Sequence, residues 1–343
     1  MDRERIAEIL QYYGIGHFSE YRIIDSSRNN SYRLNIIIED KYILRIHDGS
    51  EITEKRLEEI DKLAARYRQI DVLAPKLLKN DFGKYALTMD DQIAYMSEYL
   101  AYETCEVMDK ELFIRDVHPD LLKMTGRFSK KFSGVDLSET FSMWSIFDLA
   151  PFDEEVDEKQ ENLNTLLKFL DDEGFSTLAA AFALANKENR THLKKIYKDL
   201  PRTVIQGDLN SSNILIKDGK FVGLIDFNMA GTEVNVNHFC AETNGFPDFD
   251  DMESKKMDEA LSDWLDEQEC SLGFILSEYT LNDVEKIALP LYRNLGLISQ
   301  YPNVMSYIRL MKRDKNLGER MLRSILKIVK GKYDSAKSET LIL

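Results

Sequence analysis

The sequence predicts an α+β fold of two lobes, a small antiparallel-sheet N-lobe followed by a mainly helical C-lobe. Three observations carry this expectation. Strand-like alternation and one amphipathic helix fill the first hundred residues, helical periodicity dominates from about Asp109, and a single hairpin pattern interrupts the helical part near residue 213. The N-lobe is expected over residues 1–96, a linker over 97–100, and the helical lobe over 101–343.

Residues 31–38 set Tyr32, Leu34, Ile36 and Ile38 on one face, and after Glu39-Asp40 a second run follows over 41–47. Two such runs joined by a short polar turn make an antiparallel hairpin. Asp48-Gly49-Ser50-Glu51 offers a capping box for a helix reaching about Gln69. Its apolar stripe is Ile52, Leu57, Ile60, Leu63, Ala64 and Tyr67. Short strands are expected near 75–78 and 92–98. Helices follow near 110–133, 157–172, 176–187 and 190–199, and again from about 250. Phe141, Trp144 and Phe147 stand at helical spacing and read as core packing. Residues 213–217, Asp218-Gly219 and 220–227 form the one hairpin pattern, with an Asp-Gly turn signal.

Composition narrows the classes of function. The 60 acidic and 45 basic side chains leave a formal charge of −15, against the net basic balance usual in a duplex nucleic-acid binder. The hydrophobic fraction of 43% supports a sizeable core, and 16 Gly with 7 Pro are too few for a disordered or fibrous chain. Cys105, Cys240 and Cys270 are far apart and odd in number, which argues against a disulfide framework or a Cys-type zinc site. His17, His47, His118, His192 and His238 are scattered, with no ligand spacing. Acidic residues stand where a signal peptide would carry its apolar core, and the most apolar stretch, 178–185, is far short of the ~20 residues that span a bilayer. The expectation is a cytoplasmic protein with neither nucleic acid nor membrane as partner.

The chemistry-bearing segment is Gln206-Gly207-Asp208-Leu209-Asn210-Ser211-Ser212-Asn213, between two apolar stretches, and it fits the D-L-x-x-x-N pattern of a phosphoryl-transfer loop. Thirteen residues beyond Asn213, at the end of a strand, stands Asp226-Phe227-Asn228. Alone, each residue reads as a turn or cap. In this order they could converge at one hairpin mouth, which is what phosphoryl transfer needs: a carboxylate beside the attacking hydroxyl, with an amide and a second carboxylate for a hard cation.

Residues 206–213 together with 224–227 resemble the signature of the aminoglycoside phosphotransferase and choline kinase superfamily, which shares the protein-kinase fold. The resemblance runs from about Tyr21 to the C-terminal helices. It implies a two-lobed protein-kinase-like architecture with a nucleotide cleft between the lobes, Asp208 as catalytic base, Asn213 and Asp226 as Mg²⁺ ligands, and ATP or GTP as phosphoryl donor.

In the smaller lobe, Arg45 shares a strand face with Ile43 and His47, and Glu59 falls on the apolar stripe of the following helix. Two inward-pointing opposite charges suggest an ion pair that orients Arg45 toward phosphate, or a purely structural pair. By the resemblance Arg45 occupies the place of a phosphate-contacting basic residue, usually lysine. Ser27, Asn30 and Ser31 belong to the turn 26–31 in the place of the phosphate-covering loop. That turn lacks glycine, and an ordinary hairpin turn is the other reading. Met96-Ser97-Glu98-Tyr99 resembles the inter-lobe linker of aminoglycoside kinases, which implies that the Ser97 carbonyl and the Tyr99 N–H meet the nucleobase.

Gln206 and Asn210 stand where histidines are common in the family, and both departures admit an altered activity. Acids concentrate at 148–161 and 248–269, whereas 309–332 is locally basic and reads as a solvated helix face. The acids lean toward a cationic acceptor, with a wet helix face as the other reading. The expected function is transfer of the γ-phosphoryl group of ATP or GTP to a hydroxyl of a small molecule, such as an aminoglycoside-like sugar or amino alcohol, including antibiotic inactivation. A kinase of an amino acid such as homoserine, and a nucleotide binder without transferase activity, are the alternatives.

Overall fold

The structure, a computed structural model, describes residues 2–25, 32–49, 52–147, 157–245, 253 and 256–339, with side chains described to residue 331. The chain opens with helix α1 (Arg3–Gln11), then strands β1 (Tyr21–Asp25), β2 (Arg33–Ile38) and β3 (Tyr42–Asp48), helix α2 (Glu54–Arg68), and strands β4 (Leu77–Leu78), β5 (Ala86–Met89), β6 (Gln92–Glu98) and β7 (Glu103–Thr104). Helix α3 (Lys110–Leu112) runs through a π turn (Phe113–Val117) into α4 (His118–Phe132), followed by α5 (Glu158–Asp172) and α6 (Ser176–Ile196). Strands β8 (Arg202–Ile205), β9 (Ile214–Lys217), β10 (Lys220–Leu224) and β11 (Gly231–Val234) precede helices α7 (Asn235–Glu242), α8 (Met257–Leu276), α9 (Asp283–Ser299), α10 (Tyr301–Arg313) and α11 (Lys315–Glu339). None of the described helices is long and apolar enough to cross a membrane.

Two compact units emerge, one of Met1–Val117 with Asp208–Asn228, the other of His118–Gly207 with Met229–Leu343. The division does not fall at 97–100. Strand β7 pairs with β9, and that ladder draws both the segment after the expected linker and the 214–224 hairpin into the first unit.

The first unit contains an antiparallel sheet in the order β1-β2-β3-β6-β4, with β5 also on β6, and a second sheet in the order β10-β9-β7. Helix α1, which has no counterpart in the sequence reading, lays Ile6, Ile9 and Leu10 against Leu34, Ile36, Ile38, Leu44, Ile46, Ala94 and Met96, one buried cluster. Its stripe is only three residues in nine, too short a signal to stand out beside the acids that surround it. Both expected turns form, Glu39 and Asp40 standing in the left-handed region at φ 51° and 48° within a three-residue loop closed by Lys41, and Asp218 and Gly219 at 51° and 71° making a two-residue loop.

Helix α2 begins later than the capping-box reading required. Its N-cap is Thr53, whose side chain accepts from Arg56 N. Asp48 is instead the last residue of β3, and its carboxylate accepts from Tyr32 N at 2.9 Å. Ser50 and Glu51 lie outside the described residues. The predicted stripe is the buried one, from Ile52 through Tyr67.

In the second unit the core gathers Leu163, Leu166, Phe182, Phe239, Tyr292, Leu295, Tyr307 and Ile325 from successive helices, and β11 pairs with β8. Helix α6 is continuous where two helices were expected. Asn189, at the expected break, donates from Nδ2 to the Ala185 carbonyl one turn back at 2.8 Å, and Asn186 Nδ2 donates to Gln160 Oε1 at 2.9 Å. Residues 141–147 are not helical. Phe141 forms a bridge to Thr232, and Trp144 sits in a turn.

Candidate active site

The three polar residues singled out in the sequence all belong to the first unit, and main-chain hydrogen bonds bring their segments together. Leu73 forms a parallel bridge to Gly223, donating from its N–H to the Val222 carbonyl at 2.9 Å and accepting from Leu224 N at 2.8 Å. Glycine is required there, since a Cβ would stand 2.6 Å from the Leu73 carbonyl oxygen. One residue later, Ile225 N donates to the Asn213 carbonyl at 2.9 Å. The approach to Asp226 is thereby fixed against Asn213.

Asp208 is half-buried, and both its carboxylate oxygens are engaged. Asn210 Nδ2 donates to Oδ1 at 2.8 Å, and Asn213 Nδ2 donates to Oδ2 at 2.9 Å and to the Asp208 carbonyl at 3.0 Å. Asn210 is held in turn, its Oδ1 accepting from Ser212 N at 3.0 Å. Asn210, which departs from the family histidine, therefore serves as a partner of Asp208. Burial raises the Asp208 pKa above the ordinary carboxylate value, and the charge of Asp226 adds to the rise; the hydrogen bonds from Asn210 and Asn213 oppose it.

Asp226 is exposed and adopts the left-handed conformation at φ 54°. Aspartate tolerates this region, and its Oδ1 accepts from Asn228 N at 3.2 Å, a local bond that supports the turn. Phe227 is buried edge-on to Tyr67 of α2, with ring centroids 5.6 Å apart.

Arg45 and Glu59 do not form the pair expected from the sequence. Arg45 Nη1 donates to Ser97 Oγ at 2.9 Å and its guanidinium lies 5.9 Å from the Tyr95 ring. The register explains this: Arg45 faces Tyr95 on β6, so Ser97 is its diagonal neighbour on the same face. Glu59 is engaged by Arg56 at 3.4 Å, one turn away on α2, and Arg56 Nη2 also donates to the Asn228 carbonyl at 3.0 Å. Arg56 thus ties α2 to the segment of Asp226, a role the sequence reading missed. Opposite charges three residues apart on the predicted helix were the available signal.

The Tyr99 N–H donates to the Lys41 carbonyl at 2.8 Å, which extends the β3–β6 ladder by one bond and commits the donor assigned to the nucleobase. The Tyr99 hydroxyl accepts from Arg22 Nη2 at 2.9 Å. Ser97 is buried, at 1% exposure. Ser27, Asn30 and Ser31 lie outside the described residues. So do 148–156 and most of 246–255, while Asp258, Glu259, Asp263, Asp266, Glu267 and Glu269 line the exposed face of α8.

Solved structures share this fold over nearly the whole chain. An amicoumacin kinase, hAmiN, is 12% identical with a TM-score of 0.51, covering 96% of this chain and 94% of its own. A microcompartment-associated aminopropanol kinase is 15% identical with a TM-score of 0.50, covering 98% and 97%. No curated protein matches the sequence. Residues 20–233, more than half of the chain and all of the Asp208–Asp226 segment, match the phosphotransferase enzyme family, and the chain belongs to that family.

Proposed function

We propose that the protein transfers the γ-phosphoryl group of ATP or GTP to a hydroxyl of a small molecule, with Asp208 as the base. The observation that carries this reading is the double hold of Asn213 on Asp208, combined with the main-chain bond from Ile225 to Asn213. Together they join a half-buried carboxylate, an amide and a second carboxylate within one unit.

Asp208 accepts the hydrogen bond of the acceptor hydroxyl and takes its proton as transfer proceeds, while Asn210 and Asn213 fix the direction of its carboxylate. With Nδ2 committed to Asp208, the Asn213 amide offers Oδ1, and Asp226 offers carboxylate oxygens. An all-oxygen set of this kind suits a hard cation such as Mg²⁺. Among the described residues no three His, Cys, Asp or Glu side chains gather as a cage, and a cation held by Asn213 and Asp226 would complete its shell from phosphate and water. Bound there, Mg²⁺ would offset phosphate charge. Arg45 is the cation for the non-transferred phosphates, exchanging its bond to Ser97 for a phosphate oxygen.

The acids on α8 favour a cationic acceptor, an amino sugar or amino alcohol, and inactivation of an antibiotic belongs to the same reading. The names of the two fold neighbours, an aminopropanol kinase and an amicoumacin kinase in complex with AMP-PNP, Ca²⁺ and Ami, accord with it. Thermal denaturation with Mg-ATP and Mg-GTP tests the reading. One of them should raise the Tm and Asp226→Ala should abolish the rise; no shift with either nucleotide would remove the proposal.

A further inference from the structure

Trp144 lies in an irregular stretch of the second unit that is fastened from several directions. Ser142 N donates to the Thr232 carbonyl at 3.0 Å, and Trp144 N donates to Ser142 Oγ at 3.2 Å. The Trp144 carbonyl accepts from Asn237 Nδ2 at 2.9 Å, and Asn237 Oδ1 accepts from Lys159 Nζ at 2.6 Å. One residue on, Ser145 Oγ donates to Glu233 Oε2 at 2.9 Å. Lys159 and Glu233 are 1% and 2% exposed. A buried cation and a buried anion are costly unless their hydrogen bonds are satisfied, and such a network holds its members to one geometry when they are. This one holds the Trp144 carbonyl and Ser145, while the Ser142 bonds hold the side before the indole.

The indole of Trp144 points its only polar atom at the catalytic loop. Nε1 donates to the Gly207 carbonyl at 3.2 Å. That oxygen belongs to the planar peptide group whose far atom is the Cα of Asp208. Fixing the carbonyl therefore fixes the plane of that peptide and the direction of the N–Cα bond on which Asp208 is carried. Gly207 is confined on its other side as well, because a Cβ there would stand 2.3 Å from the Met229 carbonyl oxygen. Indole is a donor with no acceptor capacity, so the bond has one direction.

We propose that Trp144 is a positioning residue for phosphoryl transfer: its indole N–H, anchored through Asn237, Lys159 and Glu233, fixes the Gly207–Asp208 peptide plane and with it the base. The proposal rests on the reading of Asp208 given above. It adds a residue 64 positions upstream of the base, outside the D-L-x-x-x-N segment.

Two full-length variants isolate the N–H. Trp144→Phe removes it with part of the ring, and Trp144→benzothienylalanine replaces it by sulfur while the bicyclic shape is kept. In both, amide hydrogen exchange over 208–213 should accelerate while α4 and α6 exchange as in wild type. The kcat for nucleotide turnover should fall at least about tenfold with nucleotide KM within about twofold, the signature of a misaligned group rather than lost binding. Unchanged exchange over 208–213 would overturn the proposal, as would acceleration spread evenly over the unit, which marks a merely structural tryptophan. If wild type transfers phosphate to no acceptor, the reading of Asp208 fails, and exchange in the isosteric variant still decides whether Trp144 holds the loop.

Discussion

Asn213 turns its amide nitrogen onto Asp208, donating to the main-chain carbonyl at 3.0 Å and to carboxylate Oδ2 at 2.9 Å. One side chain thus fixes both the backbone and the carboxylate of the proposed base, and its own Oδ1 is the atom proposed to meet a cation. Asn213→Ala removes both functions. Its expected effect is a loss of roughly a hundredfold in kcat, because a misplacement of about 1 Å costs about that much. Steady-state kinetics at saturating Mg-nucleotide check it, and a kcat within a factor of two of wild type would show that Asn213 is only a turn residue.

Gly207 and Gly14 offer a paired test of backbone necessity. Both have positive φ, at 82° and 71°, but a Cβ on Gly207 meets the Met229 carbonyl oxygen at 2.3 Å whereas nothing lies within 4 Å of one on Gly14. Gly14→Ala should cost about 1 kcal/mol from φ alone. Gly207→Ala should cost roughly 2–4 kcal/mol, strain plus a clash that only backbone movement relieves. Urea denaturation of the two variants measures the difference, and equal costs would contradict the packing described around Gly207.

His238 on α7 is buried, with Nδ1 3.5 Å from Glu242 Oε1, and burial pushes its pKa down to about 4. In the unfolded chain it titrates near its ordinary value of about 6.5. Between these values the unfolded chain holds a proton that the folded one does not, so stability falls as pH falls through that window. From pH 7 to pH 5 wild type should lose roughly 2 kcal/mol more than His238→Gln, other groups contributing equally to both. Denaturation midpoints at the two pH values provide the check; identical losses would place the titration elsewhere.

Arg45 of β3 is bonded to Ser97 Oγ, and in the proposed reading a nucleotide phosphate oxygen replaces Ser97 as its partner. Arg45→Met should raise the nucleotide KM about tenfold or more with little change in Tm, since charge-assisted phosphate bonds are worth about 1.5–3 kcal/mol. Ser97→Ala should change nucleotide affinity far less. Isothermal titration with the Mg-nucleotide separates them, and equal affinity in wild type and Arg45→Met would deny Arg45 a phosphate.

Much of this was legible in the residues. The hairpins followed from alternation and from turns at Glu39-Asp40 and Asp218-Gly219, and the α2 stripe from its spacing, because these signals are local. What escaped was decided by tertiary register. Arg45 bonds Ser97 rather than Glu59 because β3 pairs with β6 in a frame no local pattern reveals. The Tyr99 N–H is consumed by Lys41 for the same reason. The break expected at 188–189 does not form, because Asn189 satisfies its amide on the Ala185 carbonyl one turn back and the helix runs on. Trp144 and Phe147 mimicked a helix face while lying in a turn fixed by β11 and Asn237.

The central claim is that Asp208 is the base of a phosphoryl transfer to a hydroxyl. Nucleotide consumption measured across a panel of amino sugars, amino alcohols and hydroxyl amino acids, with wild type beside Asp208→Ala, tests it most directly. At least one compound should accelerate consumption by wild type and not by Asp208→Ala, the variant being slower by about a hundredfold or more. Equal rates for the two proteins on every compound would contradict the account.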